Sequence, residues 1–329
     1  MLFRSPPASG TDRSVIFDSV APTATVTSPA SPTNASAPTF TVNFSETVSG
    51  LAASDFTTSG TATGCVIGTP SATSGTSMTV SVSGCSEGTL GLTLAANGVT
   101  DTAGNTGPAA NASSSTITID RTAPTASFTA SPATPNKATS LAYTLTFSKA
   151  VSGLSASDFQ VSGTSTGCTI TPSASSGTTF TITLTTCSEG TATLALKAST
   201  VIIDAAGNTG PTSAVSASTI TIDRTAPALT LEQATGQADP ANSGPINFTL
   251  SGNETLLAST VTSSDFTATN GTIGTIDCSG SSCTIPVTPS GQGNVTIAPS
   301  GTFSVTDPAG NAATTASGTD RTEIGRAHV

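Results

Sequence analysis

A five-residue string, Asp120-Arg-Thr-Ala-Pro124, returns unchanged as Asp223-Arg-Thr-Ala-Pro227, with a degenerate copy at Asp18-Ser-Val-Ala-Pro22 and a truncated one at Asp320-Arg-Thr322. The four aspartates lie 102, 103 and 97 residues apart. That period is the length of a small domain, too long for a solenoid unit, so the chain divides into three tandem modules. Two further landmarks keep the same order and period. Asp101-Thr-Ala-Gly-Asn105 recurs at Asp204 and Asp307, and a Ser-Asp-Phe tripeptide begins at Ser54, Ser157 and Ser264.

Each landmark has a local physical meaning. In Asp-x-Ala-Gly-Asn the two side chains can accept or donate bonds to nearby backbone, and Gly takes the positive φ of a tight turn. Thr-Ile-Thr-Ile ending at Asp120 and Asp223 alternates β-branched apolar and polar residues, the mark of a closing strand. Arg-Thr-Ala-Pro then opens the next module at once, and Pro with its preceding residue makes that connection short and stiff.

Within each module the strands are short and the turns rich in Gly, Ser and Pro. In the first, the expected strands are Ala24 to Ser28, Pro38 to Phe44, a short one near Phe56, Cys65 to Ile67, Met78 to Val82, Thr89 to Leu94 and Ser115 to Ile119. Leu51 and Phe56 are placed beneath the loop that follows Phe44. The second repeats the pattern with Leu141, Tyr143, Leu145 and Phe147 alternating, and the third diverges by the inserted turn Ser251-Gly-Asn-Glu254 and a weak closing strand near Thr315 to Thr319. No stretch keeps a helical period. About seven short strands per module predict an all-β chain of three tandem two-sheet antiparallel sandwiches, each large enough for its own core.

The absence of Trp excludes a core built like an antibody's but not a sandwich without it. A formal charge of -10 argues against nucleic acid and anionic membrane, both of which ask for Lys and Arg clusters. The ends read differently from the rest. Glu323-Ile-Gly-Arg-Ala-His-Val329 can be encoded by a common sequencing-adapter word, and Met1-Leu-Phe-Arg-Ser5 by part of its reverse complement. We therefore take 1–5 and 323–329 as artefact, 6–17 as the remnant of a preceding module or linker, and 18–120, 121–223 and 224–322 as the modules. The single His of the chain, His328, falls in that tail, so no Ser-His-Asp constellation can be composed, and no P-loop is present. A non-catalytic chain follows.

The six cysteines fall two per module: Cys65 and Cys85, Cys168 and Cys187, Cys278 and Cys283. Ser74-Gly75 and Ser176-Gly177 sit midway within the first two pairs, where hairpin turns are expected, and the third pair brackets a four-residue turn. Three intramodular disulfides are the reading, against reduced buried thiols, and they imply an oxidising compartment. Two thiolates per module without a usable His do not make a zinc site.

Asn43-Phe-Ser-Glu46, Ser54-Asp-Phe56, Ser264-Asp-Phe-Thr-Ala-Thr-Asn-Gly271 and Asp204-Ala-Ala-Gly-Asn208 resemble the bacterial Ig-like domains strung along large secreted or surface proteins, adhesins among them. The resemblance implies an extracellular stalk or spacer that contacts neighbouring modules of a longer chain, with any host or cell-surface ligand engaged elsewhere. The alternative is direct binding of glycan or protein by loops at one end of a sandwich. Some relatives hold calcium at domain junctions through aspartates. Here the pairs Asp101 with Asp120 and Asp204 with Asp223 are the candidates, set against simple turn capping with no cofactor at all. Glu46 is set aside as a common ligand, because Lys149 takes its place in the second module.

Overall fold

Alternation of apolar and polar residues decides which face of each strand is buried. Along Thr39–Ser49, Phe40, Val42, Phe44 and Val48 point inward while their neighbours meet solvent. In the computed structural model, which describes residues 16–199 and 201–323, nearly every regular element is a strand and the few helical pieces are single 3-10 turns. No helix among the described residues is long and apolar enough to cross a membrane. The chain forms two compact units: one runs to Thr125 and also takes Lys149–Gly153 and Thr200–Thr212, and the other holds Ala126–Ser148, Leu154–Ser199 and the chain from Ser213 on.

In the first unit a six-stranded sheet has the order Val66–Ile67, Ser74–Ser83, Thr39–Ser49, Val99–Asp101, Thr106–Gly107, with Ala24–Thr27 also paired to Thr39–Ser49. A four-stranded sheet faces it, made of Ile117–Ile119, Gly88–Leu94, Phe56–Ser59 and Ala112–Ser113. The strands within both sheets pair antiparallel, and the register sets Phe40 opposite Val80 and Val42 opposite Met78. Between the sheets, Phe40, Leu51, Phe56, Leu90, Leu92, Leu94 and Ile117 make one core. Each such side chain removed from water contributes about 1.5–3 kcal/mol.

The second unit holds two more such pairs of sheets. One combines Ala126–Ala130, Ser140–Ser152, Ser176–Thr185 and Thr169–Pro172 with a four-stranded sheet of Phe159–Ser162, Gly190–Leu196, Val215–Ser216 and Ile220–Ile222. The end of Ser140–Ser152, from Lys149, belongs to the first unit, where Val151 pairs with Asp204. The other combines Leu229–Gln233, Ile246–Gly252, Ser282–Pro289, Gly271–Ile273 and Asp277–Ser279 with Phe266–Thr269, Val295–Pro299 and Thr322–Glu323, and a hairpin of Val305–Thr306 with Ala312–Ala313. Its closing segment is as weak as the sequence suggests: Ser317 makes only a single bridge, to Thr230.

The expected hairpin turns at Ser74-Gly75 and Ser176-Gly177 are corrected by the structure. Both pairs lie inside the long strands Ser74–Ser83 and Ser176–Thr185. The register between Thr39–Ser49 and Ser74–Ser83 shifts after Asn43, which lets Ser74 and Gly75 pair with Ser49 and Val48. Gly75 and Gly177 take the bend at φ 139 and 140. The boundary at Asp18 falls within the described residues; the segments 1–5 and 324–329, and 6–15 of the expected remnant, lie outside them.

Each module's opening and closing segments also meet. Thr33 bridges Ile119 in parallel, its N–H donating to the Thr118 carbonyl and its carbonyl accepting from the Asp120 N–H. Asn136 and Ile222 repeat the arrangement.

Tyr143 is fully buried where the first module has Phe40, 103 residues earlier. Among the described residues its hydroxyl finds no hydrogen-bond partner, and burial pushes its pKa up. Tyr143→Phe therefore keeps the ring's packing and removes an unsatisfied polar group. We expect a stabilisation of about 1 kcal/mol, read as a higher urea midpoint; a lower midpoint would mean that the hydroxyl has a partner.

Candidate functional site

The features that recur in all three modules gather where one module's closing strand hands over to the next. The Asp of each Asp-x-Ala-Gly-Asn turn is almost wholly buried, at 5, 6 and 0% exposure for Asp101, Asp204 and Asp307. Its carboxylate organises the turn. Asp101 Oδ1 accepts from the N–H groups of Ala103, Gly104 and Asn105 at 2.7–2.8 Å, and Oδ2 accepts from Asn105 Nδ2 at 2.8 Å. Asp204 is held in the same way by Ala206 and Asn208, and Asp307 by Asn311. The reversal needs φ near +90 at Gly104, Gly207 and Gly310, which only Gly adopts cheaply.

The Asn that closes each turn also reaches across the joint. Asn105 Nδ2 donates to the Asp18 carbonyl at 3.2 Å, Asn208 to that of Asp120 at 2.9 Å and Asn311 to that of Asp223 at 3.0 Å. A second contact accompanies two of these. The Asn34 N–H donates to the Ala206 carbonyl, and Lys137 Nζ donates to that of Gly310.

The handover segment is fastened on its other side too. Arg121 donates from its two terminal nitrogens to the carbonyls of Cys85 and Ala35, both at 2.8 Å, and its backbone N–H donates to Glu87 Oε1 at 2.6 Å. Thr122 Oγ1 donates to the same carboxylate. Arg224, Thr225, Cys187, Ala138 and Glu189 reproduce the set. These backbone and side-chain bonds hold the Glu87 carboxyl below its usual value, the Arg121 N–H foremost. Cys85 and Cys187, which supply the carbonyls, are themselves bonded to Cys65 and Cys168, and Cys278 is bonded to Cys283. The last pair stand directly opposite in register.

Carboxylates meet at these joints, though in a different pairing from the one the sequence suggested. Asp101 lies with Asp18 and Glu46, and Asp307 with Asp223 and Glu254, each trio placing carboxylate oxygens within 4.8 Å of one another. Asp204 shares Lys149 with Asp120, not with Asp223. The reason is strand direction. Ile117–Ile119 runs antiparallel to Gly88–Leu94 and pairs Ile119 with Gly88, so Asp120 emerges beside Glu87, and the turn it meets is that of the following repeat. Glu46, set aside on sequence grounds, belongs to its trio.

Electrostatics follow from these neighbours. Desolvation and then the charges of Asp18 and Asp101 push the Glu46 carboxyl up; desolvation and then Asp223, Asp307 and Glu189 do the same to Glu254. Asp101 is held down, chiefly by Asn105 Nδ2. For Asp204 desolvation pulls upward, yet Asn208 and Lys149 outweigh it and the carboxyl ends below its ordinary value. Desolvation draws Lys149 down, but hydrogen bonds to Asp120 and Asp204 leave its ammonium above the usual range. The trios offer carboxylate oxygens, the donor type that an oxygen-seeking divalent cation such as calcium takes.

A sequence profile described as "Bacterial Ig-like domain" matches residues 18–119 and 120–222. No curated protein matches the chain. Among solved structures it is similar to invasin, titled a bacterial integrin-binding protein, at 15% identity and TM-score 0.34 over 85% of this chain and 57% of that one. It is also similar to InvD of Yersinia pseudotuberculosis (14%, TM-score 0.37, covering 92% and 97%) and to domains 1-6 of the surface layer protein SbsC (12%, TM-score 0.23, covering 91% and 55%). The chain thus spans just over half the length of the invasin structure.

Two outcomes are expected. Non-reducing peptide mapping should recover the three bonds above as the only linkages, and reducing Cys65–Cys85 should cost roughly 2–4 kcal/mol; links between modules would refute this. The second concerns pH. A raised folded-state value at Glu46 and Glu254 means the folded chain takes up those protons first, so stability should rise as pH falls from neutrality toward the ordinary 4.5 of glutamate. The lowered values of Asp101 and Asp204 work in the opposite sense, withdrawing stability once pH drops through and below the ordinary 3.8 of aspartate. Melting curves without divalent ions should show the rise in the wild type and lose it in Glu46→Gln/Glu254→Gln.

Proposed function

Because the chain belongs to the family of bacterial Ig-like domains, we propose that it is a segment of a bacterial cell-surface or secreted, adhesin-like protein whose tandem sandwiches at 18–120, 121–223 and 224–322 act as a non-catalytic spacer. The observation that carries this reading is the joint. One Asn-to-carbonyl bond, from a turn made rigid by a buried Asp, is repeated at every handover within 2.9–3.2 Å. A chain selected only to present separate binding loops has no need of identical fastenings between its modules. A spacer does, since slack at each joint multiplies along the array.

The competing reading is direct binding of a glycan or protein, and the integrin-binding title of invasin belongs to that class. Binding surfaces draw their energy from aromatic and Arg anchors. A recess of about 480 Å³ lined by Val261, Thr262, Ser263, Ile273 and Thr275 offers neither, and the only Tyr of the chain is in the core.

The two readings part on one variant. Asn208→Ala deletes the donor to the Asp120 carbonyl and the closer of two donors to Asp204 Oδ2, which keeps only Lys149 Nζ at 3.3 Å. The loss should cost about 1–3 kcal/mol and broaden the distribution of lengths in small-angle scattering. An unchanged scattering profile would sink the spacer reading. A glycan-array or host-protein hit by the intact chain, undiminished in Asn208→Ala, would favour direct binding.

A further inference from the structure

The string Cys-Ser-Glu-Gly occurs at 85–88 and again at 187–190, and each copy lies against the handover that closes its module. Its first three residues each hold something. The Cys carbonyl accepts from the Arg guanidinium, and the Glu carboxylate accepts from the Arg N–H and the Thr hydroxyl. The Ser between them ties the loop to its own module: Ser86 Oγ accepts from the Thr63 N–H at 3.0 Å, and the Ser86 N–H donates to the Thr63 carbonyl at 2.8 Å. Ser188 and Thr166 stand in the same relation. The loop turns at positive φ on both sides, at Gly84 and Gly88 in one copy and at Thr186 and Gly190 in the other. Neither flanking strand therefore runs through it, and its covalent hold on the rest of the module is the bond Cys65–Cys85 or Cys168–Cys187.

The third module supplies the contrast. Ser290-Gly-Gln-Gly293 stands where Cys-Ser-Glu-Gly stood, and the disulfide has moved to the hairpin of Cys278 and Cys283. Arg321 has left with it and bonds the carbonyls of Gly318 and Ala316. Where the bond stays at the loop, its hold reaches the next module in a few steps. Arg121 also grips the Ala35 carbonyl, beside Asn34, whose N–H donates to the Ala206 carbonyl of the following turn. The Thr122 carbonyl and the Asp120 carboxylate receive Lys149, and the Asp120 carbonyl receives Asn208.

We propose that Cys65–Cys85 and Cys168–Cys187 are redox-addressable locks on the joints: a dithiol that reduces either bond frees the Cys-Ser-Glu loop, and with it the handover segment, while the sandwich stays folded. Cys85 and Cys187 are buried, whereas Cys65 and Cys168 are half-buried and can be reached from solvent. A thiolate of the dithiol bonds to Sγ of Cys65 or Cys168, the Sγ–Sγ bond breaks, and its electron pair leaves on Cys85 or Cys187, which takes up a proton. The second thiol then displaces the half-buried cysteine and closes the reagent's own disulfide, so two electrons and two protons pass to the protein. The proposal rests on the spacer reading in one respect, that joint closure is what these residues serve. It goes beyond that reading in making two handovers responsive to reductant and leaving the exit of the third module indifferent to it.

The experiment is hydrogen exchange of the intact chain, read amide by amide with and without dithiothreitol, while circular dichroism follows the fold. Protection at Arg121, Arg224 and Asn34, whose N–H groups are bonded to Glu87, Glu189 and Ala206, should fall about tenfold or more on reduction. Phe40 and Val80, paired in the core strands, should stay far better protected than these three in the reduced chain. Cys65→Ala/Cys85→Ala should lose protection at Arg121 and Asn34 without reductant and keep it at Arg224, and Cys278→Ala/Cys283→Ala should keep all three until reductant is added. Arg121→Ala, with every disulfide intact, covers the case in which the first cysteine variant does not fold: Asn34 should already be open, and reduction should add nothing there. Joint amides that keep their protection in the reduced chain, or lose it only together with Phe40 and Val80, overturn the proposal, as does a further response of Asn34 in Arg121→Ala. The Asn208→Ala scattering test contains no redox step, so failure of the lock and failure of the spacer reading give different results.

Discussion

Everything at the joints depends on a carboxylate placed where solvent scarcely reaches it. Asp101, Asp204 and Asp307 would be costly to bury alone, and each is made tolerable by backbone N–H groups and an Asn amide pointed at its two oxygens. That demand fixes the turn's conformation, and a fixed turn leaves the Asn one donor to spend. The spare donor meets a main-chain carbonyl of the preceding handover. A local need to satisfy a buried charge thereby becomes a tie between modules.

The handover itself is held from both sides by groups that cannot move independently. Arg121 is anchored on the carbonyl of a disulfide-bonded cysteine, and Glu87, two residues on, receives the N–H of the same Arg. The stiffness expected of Arg-Thr-Ala-Pro from proline geometry is thus supplemented by a fork of hydrogen bonds that proline alone would not provide. In the third module the corresponding Arg321 turns instead to the carbonyls of Gly318 and Ala316. Its closing segment lacks the Ile pair that docks the strand in the other two.

How much could be read from the chain alone depends on how local each feature is. Strand positions, the all-β class and the recurrence of modules are written in alternation and period, so Phe40, Val42, Phe44 and their counterparts could be placed inward without coordinates. The hairpin turns at Ser74-Gly75 and Ser176-Gly177 were misplaced because a register shift in a long strand is a tertiary event. The joint partners were misassigned for a related reason: proximity in sequence put Asp101 with Asp120, whereas the direction of the closing strand carries Asp120 to the opposite end of its sandwich. A usable signal was present. Asn105, Asn208 and Asn311 each follow their receiving Asp by 87 or 88 residues, a constancy that turn chemistry alone does not require.

The bridge between Thr33 and Ile119 gives each sandwich a particular response to tension. Its partners run parallel and belong to segments near the two ends of the module, so a chain drawn taut pulls them in opposite directions along their own axes. Hydrogen bonds loaded in that direction share the load and yield together, whereas bonds at the mouth of a hairpin would open one after another. The residues enclosed by Cys65 and Cys85 are withheld from extension even after the bridge fails, because the sulfur bond carries the pull around them. A module that gives way under drag therefore lengthens by less than its contour, and its tethered remnant keeps the loop from which the sheet can form again.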